Sequence, residues 1–238
     1  MISRRTFLAV SSGVLFSPTL CWSAQEVPGL LDHILLGCSD LDSAISFVEE
    51  RTGVRAAFGG VHPGRGTRNA LLALGERSYL EIIAPDPKQH SVQEFAARQL
   101  KTIRELISPR LIGWAVHPAE IDALGRKLHD AGIATQGPRP GSRARPDGRV
   151  LQWKSLSLAD DRNGLLPFFI EWSAGSVHPS VDAPRGCRLE HFAVAGPDPS
   201  ELANTLQSLG IDCPVERGEK LQLRARISGS KGHFEAAS

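Results

Sequence analysis

Leu31-Asp32-His33-Ile34-Leu35-Leu36, Leu111-Ile112-Gly113-Trp114-Ala115-Val116 and Leu189-Glu190-His191-Phe192-Ala193-Val194 are short apolar runs that begin 80 and 78 residues apart. Their length and composition predict buried strands. Each run leads into an amphipathic helix. Residues 42–52 place Ile45, Val48 and Phe47 on the apolar side, residues 118–131 place Ile121, Leu124 and Leu128 there, and residues 199–209 place Leu202, Leu206 and Leu209 there. Every helix then stops at a glycine followed by a β-branched residue: Gly53-Val54, Gly132-Ile133 and Gly210-Ile211. Glycine closes a helix by taking the left-handed conformation.

Further strand-like runs follow each stop. They are 69–74 and 79–84 in the first copy, 150–158 and 166–172 in the second, and 221–227 and 233–236 in the third. The repeating unit is therefore strand, helix, then two or three strands, which predicts an α+β fold. Between the first two copies, residues 92–107 carry Phe95, Ala96, Leu100 and Ile103 at helical spacing, and Pro109 stops them; a connecting helix is expected. Residues 175–184, with Pro179 and Pro184, read as a linker to the third copy.

The chain has 238 residues, 41% apolar and 22% charged, with 27 Lys and Arg against 26 Asp and Glu. Such a composition fits a globular protein and excludes a disordered or fibrous one. A formal charge of +1 supplies no global field for nucleic acid or an acidic membrane. Ser3-Arg4-Arg5-Thr6-Phe7-Leu8 precedes a weakly hydrophobic stretch and a small-residue region ending at Ala24. This resembles a twin-arginine export signal over 1–24. The apolar stretch is far short of the ~20 residues that span a bilayer. Export implies a periplasmic or secreted protein with no membrane anchor after cleavage. Loss of 1–24 removes two arginines and no acid, leaving a nearly neutral chain. Cys38, Cys187 and Cys213 then remain; Cys187 and Cys213 can pair, or all three can stay thiols.

The tandem βαβββ unit resembles a glyoxalase-like domain of the vicinal-oxygen-chelate superfamily. The resemblance is carried by Leu31-Asp32-His33-Ile34, by residues 59–69 (Gly-Gly-Val-His-Pro-Gly-Arg-Gly-Thr-Arg-Asn), by Tyr79-Leu80-Glu81-Ile82, and by the Arg-, Gly- and Pro-rich residues 137–149. It covers residues 29–175, with modules over 29–88 and 110–173, and leaves a third, similar module over 187–238. The resemblance implies that two modules curl into one incomplete barrel and that metal ligands come from the first and last strands of each. Carried over, it assigns His33 and Glu81 from the first module and Glu171 from the second, where Gly113 stands in place of a second histidine. One imidazole and two carboxylates suit a divalent cation with open positions. Off the metal, Glu171 would instead be the catalytic base. His191 and Glu235 of the third module align with His33 and Glu81 and offer a second way to complete the set.

Strand alternation places Tyr79, Glu81 and Ile83 on one face, and His33 with Leu31 and Leu35 on another. Both faces are expected to be interior. The loop over 62–69 supplies His62 and Asn69 as substrate-binding candidates. A second loop crowds Arg139, Arg143, Arg145 and Arg149 together, and Arg143 and Arg145 are candidates for an anionic substrate, because guanidinium forks suit carboxylate or phosphate. The resemblance thus implies an exported, divalent-metal-dependent lyase, isomerase or ring-opening oxygenase acting on a small oxygen-rich molecule, with a homodimer admissible. The alternative is a metal-free protein that binds or sequesters a small molecule.

Overall fold

The computed structural model describes residues 27–145 and 147–238, so the segment read as an export signal lies outside the described residues. The first module is β1 (Leu31–Gly37), α1 (Leu41–Thr52), β2 (Ala57–His62), β3 (Thr67–Ala73) and β4 (Tyr79–Pro85). Asp40 starts α1 by accepting a hydrogen bond from the Ser43 amide at 2.8 Å, and Gly53 ends it at φ 80°. The connector α2 (Glu94–Arg104) follows, buried along Ala96, Leu100 and Ile103. The second module repeats the order: β5 (Arg110–Val116), α3 (Ile121–Asp130), β6 (Thr135–Ala144), β7 (Val150–Leu158) and β8 (Phe168–Trp172).

Eight strands form one sheet in the order β2-β3-β4-β1-β5-β8-β7-β6. Within each module the opening strand runs parallel to the closing one, β1 with β4 and β5 with β8. The modules join where β1 and β5 run antiparallel, and that ladder has a pseudo-twofold centred on Ile34 opposite Trp114. His33 faces Ala115 and Leu35 faces Gly113, so positions 80 apart are equivalent. The sheet curls until its edges approach. A Cβ on Gly60, at φ 140°, would lie 2.7 Å from the Ala144 carbonyl oxygen on the opposite edge, so the approach requires glycine.

One difference from the sequence reading is β6. Its Gly, Pro and Arg content hides a strand inside what reads as a loop. Pro138 and Pro140 are tolerated because β6 is an edge, hydrogen-bonded to β7 alone, where a missing N–H costs nothing.

Beyond the barrel, α4 (Pro179–Asp182) interrupts the linker. The third module is β9 (Arg188–Gly196), α5 (Pro199–Ser208), β10 (Val215–Arg217), β11 (Gln222–Gly229) and β12 (Gly232–Ala237). It forms its own sheet in the order β10-β9-β11-β12, where β9 is parallel to β10 and antiparallel to β11. This sheet and α1 cover the convex side of the large sheet. Trp114 meets Phe192 with ring centroids 5.0 Å apart, and Phe47 of α1 meets Phe234 at 5.6 Å. Ile34, Leu36, Leu80, Ile82 and Trp114 are buried in that core, which leaves the alternate residues of the same strands for the concave side. Cys38, Cys187 and Cys213 are free thiols, so the pairing of the last two does not form. Among the described residues no helix is long and apolar enough to cross a membrane.

Candidate active site

A bulge in β1 sets the centre of the concave face. Its register against β5 shifts between Leu31 and His33, leaving Asp32 as the extra residue. Alternation alone predicts His33 on the face of Leu31; instead Leu31 packs into the convex core, and Asp32 lies beside His33. Asp32 Oδ1 is 2.7 Å from His33 Nδ1. Asp32 Oδ2 accepts from Trp172 Nε1 at 3.0 Å and meets His178 Nε2 at 3.1 Å. Burial would raise the Asp32 carboxyl, but the bonds from His178 and His33 outweigh it and hold it well below the usual carboxylate range.

With its Nδ1 held by Asp32, His33 turns Nε2 toward Glu81 Oε2, 3.5 Å away. The His33 ring is stacked on Tyr79 at 4.6 Å and edged by Phe168 at 5.4 Å. Burial pushes the Tyr79 phenol well above its ordinary value, with Asp32 and Glu81 adding to the shift, so it stays protonated.

The other oxygen of Glu81 is satisfied by a relay. Arg143 Nη1 donates to Asn69 Oδ1 at 2.8 Å, which orients the amide so that Asn69 Nδ2 donates to Glu81 Oε1 at 2.7 Å. Gly59 makes room for this relay, since a Cβ there would stand 2.5 Å from both Arg143 Nη1 and Asn69 Oδ1. The same amide nitrogen is 3.3 Å from His62 Nε2, and His62 Nδ1 is 2.9 Å from Thr67 Oγ1. Burial, reinforced by Arg143, Arg65 and His33, outweighs the pull of Glu81 and lowers His62 to about 4. His62 is therefore neutral at pH 7, with Nδ1–H donating to Thr67 Oγ1 and Nε2 accepting from Asn69 Nδ2. Burial also raises the Glu81 carboxyl, but His62, His33, Asn69 and Arg143 together hold it below its ordinary value. An ionised carboxylate at 8% exposure would otherwise cost several kcal/mol.

The structure thus brings together His33, Glu81, His62, Asn69 and Arg143. It does not bring Glu171 or Arg145 to them. On β8, Phe168 and Trp172 face His33 and Asp32, so Glu171 points to the convex side. There Glu171 Oε2 accepts from the Ile121 amide at 2.7 Å and caps α3, whose own N-cap residue, Glu120, makes no side-chain capping bond. Arg145 Nη1 is 3.0 Å from Asp182 Oδ2 and ties β6 to α4. In the third module His191 meets Glu216 at 3.2 Å and Glu235 pairs with Arg226. Asp32 and His178 are participants that the sequence reading missed. An acid within an apolar run signals Asp32, whereas nothing in the linker distinguishes His178.

The pseudo-twofold identifies what the second module offers instead. Leu35 pairs with Glu81 and Ala115 with Phe168, so Phe168 is the counterpart of Glu81. Asp32, His33 and Glu81 correspond to Ile112, Gly113 and Phe168, and the second half of the site is apolar. Those residues do not fit the divalent cation expected from the sequence. His33 Nε2 and Glu81 Oε2 are two available donors, while His62 Nε2 and Glu81 Oε1 are engaged by Asn69. Among the described residues no group of three or more His, Cys, Asp and Glu is arranged to hold a metal ion.

Among solved structures, a hypothetical protein from Staphylococcus aureus superposes with a TM-score of 0.60 at 16% identity, covering 87% of this chain and 84% of its own. A methylmalonyl-CoA epimerase of Streptomyces coelicolor in complex with 2-nitronate-propionyl-CoA gives 0.43 at 22% identity, covering 62% and 96%. Methylmalonyl-CoA epimerase from Mycobacterium tuberculosis gives 0.43 at 19%, covering 63% and 91%. No curated protein matches the sequence. A family model described as a glyoxalase-like domain matches residues 31–210, from β1 through α5. Spanning well over half of the sequence, that match assigns the chain to the glyoxalase-like domain family.

Proposed function

We propose that this protein is a glyoxalase-like enzyme that moves a proton on a small anionic, oxygen-bearing substrate bound in the concave face. One observation carries the reading: His33 Nε2 and Glu81 Oε2 face each other across 3.5 Å, and among the described residues neither accepts a hydrogen bond. Two buried basic atoms aimed at one point require a proton, a cation or a substrate group between them. In the proposed step Glu81 Oε2 takes a proton from a carbon beside a carbonyl, and the electron pair moves onto the carbonyl oxygen as an enolate. Tyr79 and Arg143 supply a neutral donor and a positive charge for that oxygen. At 3.5 Å from Glu81 Oε2, His33 Nε2 shares the abstracted proton, and the pair returns it to the same carbon. Asp32 holds the imidazole tautomer and stabilises the imidazolium if the proton rests there.

A second reading, binding without turnover, is supported by the apolar set Ile112, Gly113 and Phe168. Deuterium wash-in separates the two. Small carboxylate- and phosphate-bearing carbonyl compounds are incubated with the protein in D2O and their α-protons followed by NMR. Exchange that falls at least about 10²-fold in Glu81→Gln supports the enzyme. Compounds that bind while none exchanges favour the container. We also infer export through the twin-arginine route; intact mass spectrometry of protein recovered from the periplasm should find an N-terminus just after Ala24, and retention of the whole chain in the cytoplasm sinks that inference.

A further inference from the structure

Three side chains from three different elements meet at the solvent edge of the concave face, outside the relay just described. Arg65 lies in the turn between β2 and β3, Phe95 on α2 and Arg139 on β6. The Arg65 guanidinium carbon is 5.2 Å from the centre of the Phe95 ring and that of Arg139 is 5.8 Å from it. Phe95 remains 49% exposed beside the two guanidiniums, so ring and charges are open to the same solvent.

Neither arginine has a carboxylate within 4.0 Å among the described residues. Their neighbours do: Arg145 and Arg149 both reach Asp182. The arginines of this segment therefore divide. Arg145 and Arg149 are neutralised by Asp182, whereas Arg139 and Arg143 share the inner face of β6, with unbroken register against β7 from Arg139 to Arg143. Four residues of strand separate them by about 13 Å. Burial, with Arg139 adding to it, lowers the Arg65 guanidinium from its ordinary value against the pull of Glu81. Two like charges held together by separate elements, with no acid between them, are arranged for an anion from outside.

We infer that Arg65, Arg139 and Phe95 form an oxyanion anchor, the docking place for the carboxylate or phosphate end of an elongated substrate. This rests on the proposed reading only in that the substrate's other end reaches Glu81; the anchor itself is tested without turnover. Binding of inorganic phosphate and of malonate to the full chain is followed by NMR shift titration. At least one probe should saturate, its affinity should fall at least tenfold in Arg65→Gln and in Arg139→Gln, and Arg149→Gln should leave it unchanged. Arg65→Lys and Arg139→Lys should keep part of the affinity, which separates lost charge from lost folding. Preference between the probes identifies the oxyanion, and either preference supports the anchor. Glu81→Gln should bind the probe at least as well as the unaltered chain, so failure of proton transfer and failure of anchoring are read separately. Absence of saturable binding by both probes, or binding that survives the Arg65→Gln, Arg139→Gln double substitution, overturns the inference.

Discussion

Phe168 stands in the second module where Glu81 stands in the first: each faces the opening strand of its module at the same register, opposite Ala115 and Leu35. The two halves of the barrel agree in backbone and differ in chemistry. A two-donor site should therefore become a four-donor site if the symmetry is restored. A Cβ on Gly113 would meet nothing within 4 Å, so a side chain can enter there. Gly113→His combined with Phe168→Glu should bind Co2+ with a visible absorption band that the unaltered protein shows weakly or not at all. Equal bands in both proteins would refute the donor assignment.

Asp32 is the most heavily committed buried charge on the concave face, engaged by His33, Trp172 and His178. Its replacement by alanine leaves all of these groups without their acceptor. We expect Asp32→Ala to lose about 3–5 kcal/mol of stability in denaturant melts, the range for breaking a buried ionic group. A loss under about 1 kcal/mol would mean that water replaces the carboxylate.

Acid should loosen the site before it unfolds the rest. His62 is depressed to about 4 in the folded chain, from an ordinary 6.5. Above pH 6.5 both folded and unfolded chains hold it neutral, and its contribution is complete. As pH falls from 6.5 toward 4 the unfolded chain takes up a proton that the folded chain refuses, so stability declines by up to about 3 kcal/mol. The depressed Glu81 carboxyl acts in the same direction at lower pH, below its ordinary 4.5. His62→Gln should flatten the stability profile between pH 6.5 and 4.5; an unchanged slope would assign the titration elsewhere.

Glu171 and Glu81 should separate cleanly. Glu171→Ala removes the acceptor at the start of α3 and should cost about 1 kcal/mol, the usual value of a helix cap, while leaving deuterium wash-in unchanged. Glu81→Gln should abolish the exchange. Loss of exchange in Glu171→Ala at full stability would return Glu171 to the chemistry.

Gly59 offers a steric test of the relay. Gly59→Ala places a methyl 2.5 Å from both Arg143 Nη1 and Asn69 Oδ1 and must part them. Glu81 then loses its oriented amide, and its carboxyl should titrate higher, followed by 13C NMR of the labelled side chain. No movement would show that Asn69 holds Glu81 without Arg143.

Much of this was legible in residue order. Apolar runs, helix stops and their spacing were sufficient for the module pair, because burial on one face imposes a period that composition cannot hide. β6 was not legible, since Gly, Pro and Arg read as loop unless an edge strand is already known to lie there. Glu171 was misplaced for a related reason. Its neighbours Phe169, Ile170 and Trp172 mark a strand, but alternation along a strand says nothing about which face is concave.

By itself, the order of residues determined the strand and helix periods, the fold class and a set of polar side chains that one interior could gather. Which of them meet was decided only in three dimensions. The bulge at Asp32 turns two consecutive residues to one side, and the closing of the sheet brings Arg143 to Asn69 across 74 positions. Period is a local property of the chain, whereas a hydrogen bond between distant strands exists only once register and curvature are set by the packing of the whole sheet.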